Sequence, residues 1–512
     1  MHTSMLLDMA ADGFGDRPAV TSGPERFTHS YAALAELSGK AAGWLAARHA
    51  RRVALVDVNS AAVPVLMFGA GLAGIPFAPV NYRLADEQLR AILARCAPCV
   101  AVVDDEAASR VADIEEVTVV TRDQFFAELA GTGSAGTGSA GTGSADTAPA
   151  LDPDDVAILL FTSGTTGQPK AAVLRHRHLT SYILGTVEFM GADSDETALV
   201  SVPPYHIAGI SAVLSSTFAG RRIVYLPAFS PQDWVAAAQR EAVTHAMVVP
   251  TMLGRILDVL ERDKVSLPAL RHLSYGGGRM PVPVIERALE LLPNVGFVNA
   301  YGLTETSSTI AMLGPDEHRT AMESADPAVR AVLGSVGRPL PGVTVEIRDD
   351  DGHPVPAGHS GELWVAGEQV SGEYADRASP PAGGWFCTRD TGYLDQDGFL
   401  YLQGRVDDVI VRGGENMSPG EIEDVLTAHP AVGEAAVVGI PDSEWGEKVA
   451  AVVVLADDAA ATEEELKNWV RGRLRSSKTP ALIEFRPALP CNETGKLLRR
   501  VIREELAVRA GT

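Results

Sequence analysis

Residues 156 to 170 read Val-Ala-Ile-Leu-Leu-Phe-Thr-Ser-Gly-Thr-Thr-Gly-Gln-Pro-Lys, an apolar run that empties into a loop of hydroxyls and glycines. The run is short and apolar enough for a buried strand. Around a polyphosphate the loop can wrap backbone N–H groups and the hydroxyls of Thr162, Ser163, Thr165 and Thr166, with Gly164 and Gly167 leaving the space. It reads as an ATP-handling element. A Walker A loop needs four residues between its first glycine and its Gly-Lys pair, whereas Gly164, Gly167 and Lys170 stand three apart. The ordinary P-loop ATPase reading is excluded.

Outward from this junction, Val53-Ala54-Leu55-Val56, Val100 to Val103, Arg222-Ile223-Val224-Tyr225, His245 to Val249 and Gly296-Phe297-Val298 alternate with helical stretches. Such alternation predicts wound α/β layers with parallel strands, whose ligand loops gather at strand C-terminal ends. Gly276-Gly277-Gly278 and Asn299-Ala300-Tyr301-Gly302 each follow a strand, so three loops are expected to converge on one crevice. From about residue 334 the texture changes to short strands and turns. After Arg405-Val406-Asp407-Asp408, helices are predicted near 419–428 and 462–474, with strands near 434–440 and 447–455. The expected architecture is α/β. A large N-terminal domain (1–405) of wound α/β subdomains, with a β-rich subdomain at about 334–405, precedes a hinge (406–408) and a mobile α+β lid (409–512). Gly-Thr-Gly-Ser-Ala, three times over from Gly131 to Ala145, predicts a flexible insert (131–148) without catalytic role.

The chain has 512 residues, and its 43 basic against 66 acidic residues give −23, which opposes non-specific binding to nucleic acid and anionic membranes. No basic-then-apolar leader opens it and no window of 18 apolar residues occurs, so a cytoplasmic protein without a membrane span is expected. Cys96-Ala97-Pro98-Cys99 matches C-x-x-C but ends a helix instead of opening one, and reads as two reduced thiols. Arg175-His176-Arg177-His178 has metal-like spacing but reads as the start of the helix after the phosphate loop.

Six ordered motifs carry a family resemblance. They are Phe161 to Lys170, Tyr301-Gly302-Leu303-Thr304-Glu305, Thr388-Arg389-Asp390, Gly404 to Asp408, Gly413 to Glu423 and Asn492-Glu493-Thr494-Gly495-Lys496. Over essentially its whole length the chain resembles the adenylate-forming superfamily of acyl-CoA synthetases, peptide-synthetase adenylation domains and luciferases. The resemblance implies two half-reactions. A carboxylate first attacks the α-phosphate of MgATP and releases pyrophosphate; a thiol then takes the acyl group and AMP leaves.

The resemblance also implies roles. Lys496 is the catalytic cation, Glu305 the Mg²⁺ ligand and Thr304 a donor to the α-phosphate. Thr162 to Gly167 with Lys170 hold the leaving pyrophosphate. Gly276, Gly277, Gly278, Asn299, Ala300, Tyr301, Gly302, Asp390 and Arg405 bind the nucleotide, and His206, in Val202 to Gly209, meets the substrate carboxylate. Asp407 is the hinge, and Gly413, Gly414 and Glu415 form the thioester loop. Bland alternatives stand beside these: a core histidine for His206, packing for Tyr301, a turn acid for Asp390, a surface acid for Asp407. Two departures are visible. Arg389 stands where many relatives carry glycine, and Cys491-Asn492-Glu493 stands where many carry a Ser- or Thr-rich lead.

The resemblance of Gly413-Gly414-Glu415-Asn416 to CoA-ligase loops makes CoA the expected acceptor. Arg471, Arg473, Arg475 and Lys478 offer cations for its nucleotide end, or else form a solvated helix end. Apolar Ile207, Ile210, Val213 and Leu214, with the glycine run at 276, suggest an apolar or aromatic acid. The expected function is an acid–CoA ligase using ATP, Mg²⁺ and CoA. The alternatives are a carrier-protein ligase and a diazotase joining nitrite to an aromatic amine. The oligomeric state stays open, a homodimer being one expectation.

Overall fold

The computed structural model describes residues 1–23, 26–131, 151–162, 169–375, 384–413, 415–442, 444–456, 459–491 and 497–509. The Gly-Thr-Gly-Ser-Ala repeats after Gly131 lie outside them. Two large, mostly parallel sheets form the body. The seven-stranded sheet sets Val156–Thr162, Phe77–Pro79, Val53–Val56, Cys99–Val103 and Val117–Thr121 side by side and parallel. In the nine-stranded sheet Pro18–Ser22, Arg222–Tyr225, Thr197–Val200, His245–Val248, His272–Gly276 and Gly296–Leu303 run parallel. Antiparallel strands close its edges, Phe27–Ser30 at one end and Ser308–Leu313 with Arg338–Pro339 at the other.

The largest core draws on helices Ser4–Phe14, Tyr31–Ala47, Ala62–Leu72 and Ile207–Ala219. Ala62–Leu72 is apolar on every side, and ten of its eleven residues are buried, as a helix covered all round requires. Ser30 caps Tyr31–Ala47 by accepting from Ala33 N–H. A four-stranded antiparallel sheet follows, Thr344–Arg348, Gly361–Ala366, Phe386–Leu394 and Leu400–Arg405. The short turn Val406–Asp408 leads from it to a small α+β unit. There the long hairpin Val432–Asp442 with Gly446–Leu455 packs between helices Pro419–Thr427 and Arg499–Arg509.

The predicted α/β layers, the β-rich sheet and the small α+β unit are all present, and helix His176–Thr186 begins where Arg175 to His178 predicted it. Three features were not expected. Strand Lys170–Arg175, antiparallel to Val156–Thr162, precedes that helix. Strand Gly296–Leu303 extends through Tyr301 and Gly302, because Ser308–Leu313 folds back and supplies hydrogen-bond partners. Strand Leu482–Phe485 and helix Arg499–Arg509 add elements the periodicity had not suggested.

Candidate active site

Tyr301 sits on the nine-stranded sheet and Asp390 on the four-stranded one, and the Tyr301 O–H donates to Asp390 Oδ2 at 2.6 Å. A bulge aims Asp390. Between the pairs Glu362↔Thr391 and Trp364↔Cys387, residues 388–390 oppose Leu363 alone, and such an excess bends the strand and redirects its side chains. Arg405, paired in register with Asp390, places Nε 3.6 Å from Oδ1 and donates through Nη2 to Thr388 O. Burial first, and the Asp390 charge second, push the Tyr301 phenol well above its ordinary pKa, so it stays a donor.

Beside this cluster, Thr304–Thr306 form a 3₁₀ turn that buries Glu305. The turn is braced from several directions. Leu303 N–H donates to Thr306 Oγ1, Gln369 Nε2 donates to Thr306 O and Thr309 O, and the N–H groups of Ser371 and Gly372 donate to Glu305 O. Tyr374 Oη donates to Glu305 Oε1, and Lys170 Nζ lies 5.8 Å from the centre of the same ring. A buried carboxylate oriented by a phenol O–H offers a hard oxygen ligand, a donor type that fits Mg²⁺.

The glycines have steric reasons. A Cβ on Gly302 would stand 1.8 Å from Ser308 O, and one on Gly276 would stand 2.2 Å from Ala300 O, so both strands approach too closely for any side chain. Gly277 takes φ +77°, and Gly278 continues the loop at the strand end. Asn299 is buried and uses its amide to donate to Ser335 O.

His206 is half-buried at the start of helix Ile207–Ala219, next to Tyr205, whose ring meets Tyr82 edge-on at 5.8 Å. Ile207, Ile210, Val213 and Leu214, whose apolar character had suggested an apolar or aromatic acid, are buried in the body's core. A cavity of about 350 Å³ opens instead between body and C-terminal unit, lined in part by Arg83, Ser201, Pro203, Arg255, Glu434 and Cys491. Asn59 Oδ1 and Ser201 Oγ, in its wall, are buried and have no hydrogen-bond partner among the described residues.

Several candidates fall outside the described residues: Ser163, Gly164, Thr165, Thr166 and Gly167 of the phosphate loop, Gly414, and Lys496. Their flanks are placed. Thr162 Oγ1 donates to Lys170 O at 3.4 Å, Arg95 Nη1 donates to Pro169 O at 2.6 Å, and Cys491 bridges to Leu497. Gly413 has φ +58° beside Trp445, and Glu415 lies 3.7 Å from Arg475. Of the basic cluster, Arg473 stacks on Trp469, Arg471 donates to Asn468 and Lys478 pairs with Glu421.

The motifs set aside in sequence are structural. His176 stacks on His2 and shares a hydrogen bond with Thr3, and burial depresses its pKa to about 3. His178 accepts from Arg175 N–H and is held down to about 4 by the same cause. Cys96 and Cys99 are free and buried, and burial pushes the thiols up to about 12 and about 11.

The AMP-binding enzyme family model matches residues 7–375, and the model for the AMP-binding enzyme C-terminal domain matches 421–496. The chain belongs to the AMP-binding enzyme family. It is an adenylate-forming enzyme, an AMP-forming acid–thiol ligase. The chain is 33% identical to a feruloyl-CoA synthase of an Amycolatopsis species over 482 residues, 93% of each chain. To a fatty acid–acyl-carrier-protein ligase of Streptomyces coeruleorubidus it is 33% identical, over 88% of this chain and 86% of that one. The o-succinylbenzoate CoA synthetase of Bacillus subtilis, solved with its acyl-adenylate intermediate, superposes with a TM-score of 0.81 at 29% identity over 97% of both chains. ATP- and AMP-bound structures are also among its solved neighbours, in keeping with ATP as the nucleotide. Among the described residues, no helix is long and apolar enough to cross a membrane.

Tyr374 and Gln369 were missed in sequence. They reach Glu305 and its turn from a stretch without periodicity, so only the fold could bring them there.

Proposed function

We propose that this ligase activates an apolar or aromatic carboxylic acid as its adenylate and passes the acyl group to CoA, with Mg²⁺ assisting the first half. The observation that carries the reading is the meeting of Tyr301, Asp390 and Arg405, near in sequence and fold to the buried Glu305 that Tyr374 holds, which sets acceptor, donors and carboxylate together. The 33% identity to a feruloyl-CoA synthase supports the acid class.

In the first half, a carboxylate oxygen of the substrate attacks the α-phosphorus and the bond to pyrophosphate breaks. Two anions approach, so the site must offset their repulsion and the charge that develops on phosphorus. Asp390 accepts from ribose hydroxyls while Arg405 reaches ribose or phosphate. Thr304 donates to the α-phosphate, the loop from Thr162 to Lys170 holds the departing pyrophosphate, and Lys496 supplies the positive charge. Glu305 would hold Mg²⁺, which would supply positive charge to the phosphates. His206 donates to the substrate carboxylate and keeps it aligned. In the second half, rotation at Asp407 withdraws the lysine segment and presents Gly413-Gly414-Glu415. The thiol of CoA then attacks the acyl carbon and AMP leaves with the electron pair.

Pyrophosphate release from MgATP, measured across fatty, aryl and cinnamyl acids with and without CoA, tests this. Release stimulated by CoA with one acid class is expected. Turnover only with a phosphopantetheinylated carrier, or only with nitrite and an aromatic amine, would replace the acceptor. Lys496→Ala should lower adenylation at least about 100-fold, the scale of one lost preorganised electrostatic contact. Near-normal pyrophosphate release by that variant would remove the lysine from the mechanism.

A further inference from the structure

Arg389 has φ +63° inside strand Phe386–Leu394, at the middle of the bulge, where glycine would sit without steric cost. The bulge that aims Asp390 inward sends Arg389 outward. Its Nη2 donates to Asp407 Oδ1 at 2.9 Å, and Nη1 lies 3.8 Å from Glu362 Oε1. Asp407 belongs to the turn Val406–Asp408, which joins the four-stranded sheet to the C-terminal unit. The next residue is held from the other side. Asp408 Oδ2 lies 3.9 Å from Arg499 Nε, and Arg499 donates to Glu423 at 2.7 Å, both within the C-terminal unit. Adjacent aspartates of one turn are thus tied to opposite bodies.

The arrangement so tied has a direction. Cys491, which precedes the segment of Lys496, lines the cavity with Ser201 and Pro203 of the body, while Gly413 and Glu415 pack on Trp445 and near Arg475 of their own unit. The described flank of the lysine segment thus faces the body while Gly413 and Glu415 contact their own unit, the placement the first half-reaction requires. A change in backbone angles at Asp407 would swing its carboxylate off Arg389.

We infer that Arg389 is a positioning residue that latches the turn, biasing the enzyme toward its adenylating arrangement and slowing passage to the thiol-accepting one. The inference rests on the proposed hinge role of Asp407. The two partners are half-exposed, so the bias is modest: exposed pairs of this kind shift an equilibrium by about two- to fivefold.

Single-turnover measurements of the two half-reactions, adenylate formation and CoA-dependent AMP release from preformed adenylate, test the latch. Arg389→Gly, which suits the left-handed backbone, should raise the second rate relative to the first by about two- to fivefold. Arg389→Lys should keep the wild-type ratio. Raising salt to about 0.5 M should move the wild type toward the glycine variant and leave that variant unchanged. Adding Asp407→Asn to Arg389→Gly should change nothing more. An unchanged ratio in Arg389→Gly, or a parallel fall of both rates, overturns the latch. Asp407→Pro, which fixes φ, separates this from failure of the hinge itself. It should keep adenylation and lose AMP release, and retention of both would overturn the hinge reading and the latch with it.

Discussion

Tyr301 and Asp390, 89 positions apart in the chain, are joined by a 2.6 Å hydrogen bond between two sheets. The bond fixes one carboxylate oxygen and leaves the other facing Arg405 at 3.6 Å. Removing the phenol O–H leaves a buried carboxylate short of a donor, a loss of about 1.5–3 kcal/mol for a hydrogen bond to a charged group. Tyr301→Phe should therefore raise the KM for ATP by about tenfold or more, since 1.4 kcal/mol is a factor of ten. Steady-state kinetics with ATP varied at saturating acid checks this, and an unchanged KM would separate the pair from nucleotide binding.

Tyr374→Phe makes a different cut. It keeps the ring beneath Lys170 and deletes only the O–H that donates to Glu305. A carboxylate that loses one orienting bond binds its cation less well, and loss of such an outer partner commonly costs about 10- to 100-fold in metal affinity. The Mg²⁺ concentration for half-maximal pyrophosphate release should rise at least several-fold, with little change in the KM for the acid. A Mg²⁺ titration of wild type and variant would show it, and coincident curves would leave Tyr374 as packing alone.

Much of this was legible in the sequence. Short apolar runs named the strands because parallel strands buried on both faces cannot alternate, and Tyr301, Glu305 and Asp390 stood in motifs whose order was itself informative. What stayed hidden depended on long-range pairing. The helix start at Arg175 to His178 was legible, but strand Lys170–Arg175 was not, because it forms only by pairing with Val156–Thr162, and the burial of His176 depends on the distant N-terminal residues His2 and Thr3. Ile210, Val213 and Leu214 suggested an apolar acid by composition alone, and composition cannot distinguish residues that meet a ligand from residues that pack in a core with Leu6 and Leu7. Arg389 looked like a loss of glycine, and only its contact with Asp407 gives the substitution a reason.

Acid should destabilise the fold through histidines. His176 and His245 are held down to about 3 and His178 to about 4, in each case chiefly by burial. Their folded pKa values lie below the unfolded value of about 6.5, so between these limits the unfolded chain binds more protons and stability falls as pH falls. Each histidine contributes a slope of about 1.4 kcal/mol per pH unit once the pH is well below 6.5. Urea midpoints measured at pH 7 and pH 5 should therefore differ clearly, and His176→Gln should reduce the difference by roughly one proton's share. A midpoint that does not move over this range would show that the buried rings are already protonated in the folded protein.

Gly302→Ala should fail for a backbone reason. The added Cβ would lie 1.8 Å from Ser308 O and 2.9 Å from Thr309 Cα, both main-chain atoms of the paired strand, so no side chain can rotate away to make room. The strands must part where Tyr301 and Leu303 flank the site, and overpacking of this kind costs about 1–3 kcal/mol. The expected result is a lower thermal midpoint together with loss of ATP binding by calorimetry. Gly278→Ala is the comparison, because its Cβ would meet nothing closer than Pro250 at 3.8 Å. That variant should melt like the wild type. If Gly302→Ala also melts and binds ATP like the wild type, then the close approach of strands Gly296–Leu303 and Ser308–Leu313 is not what shapes the nucleotide site.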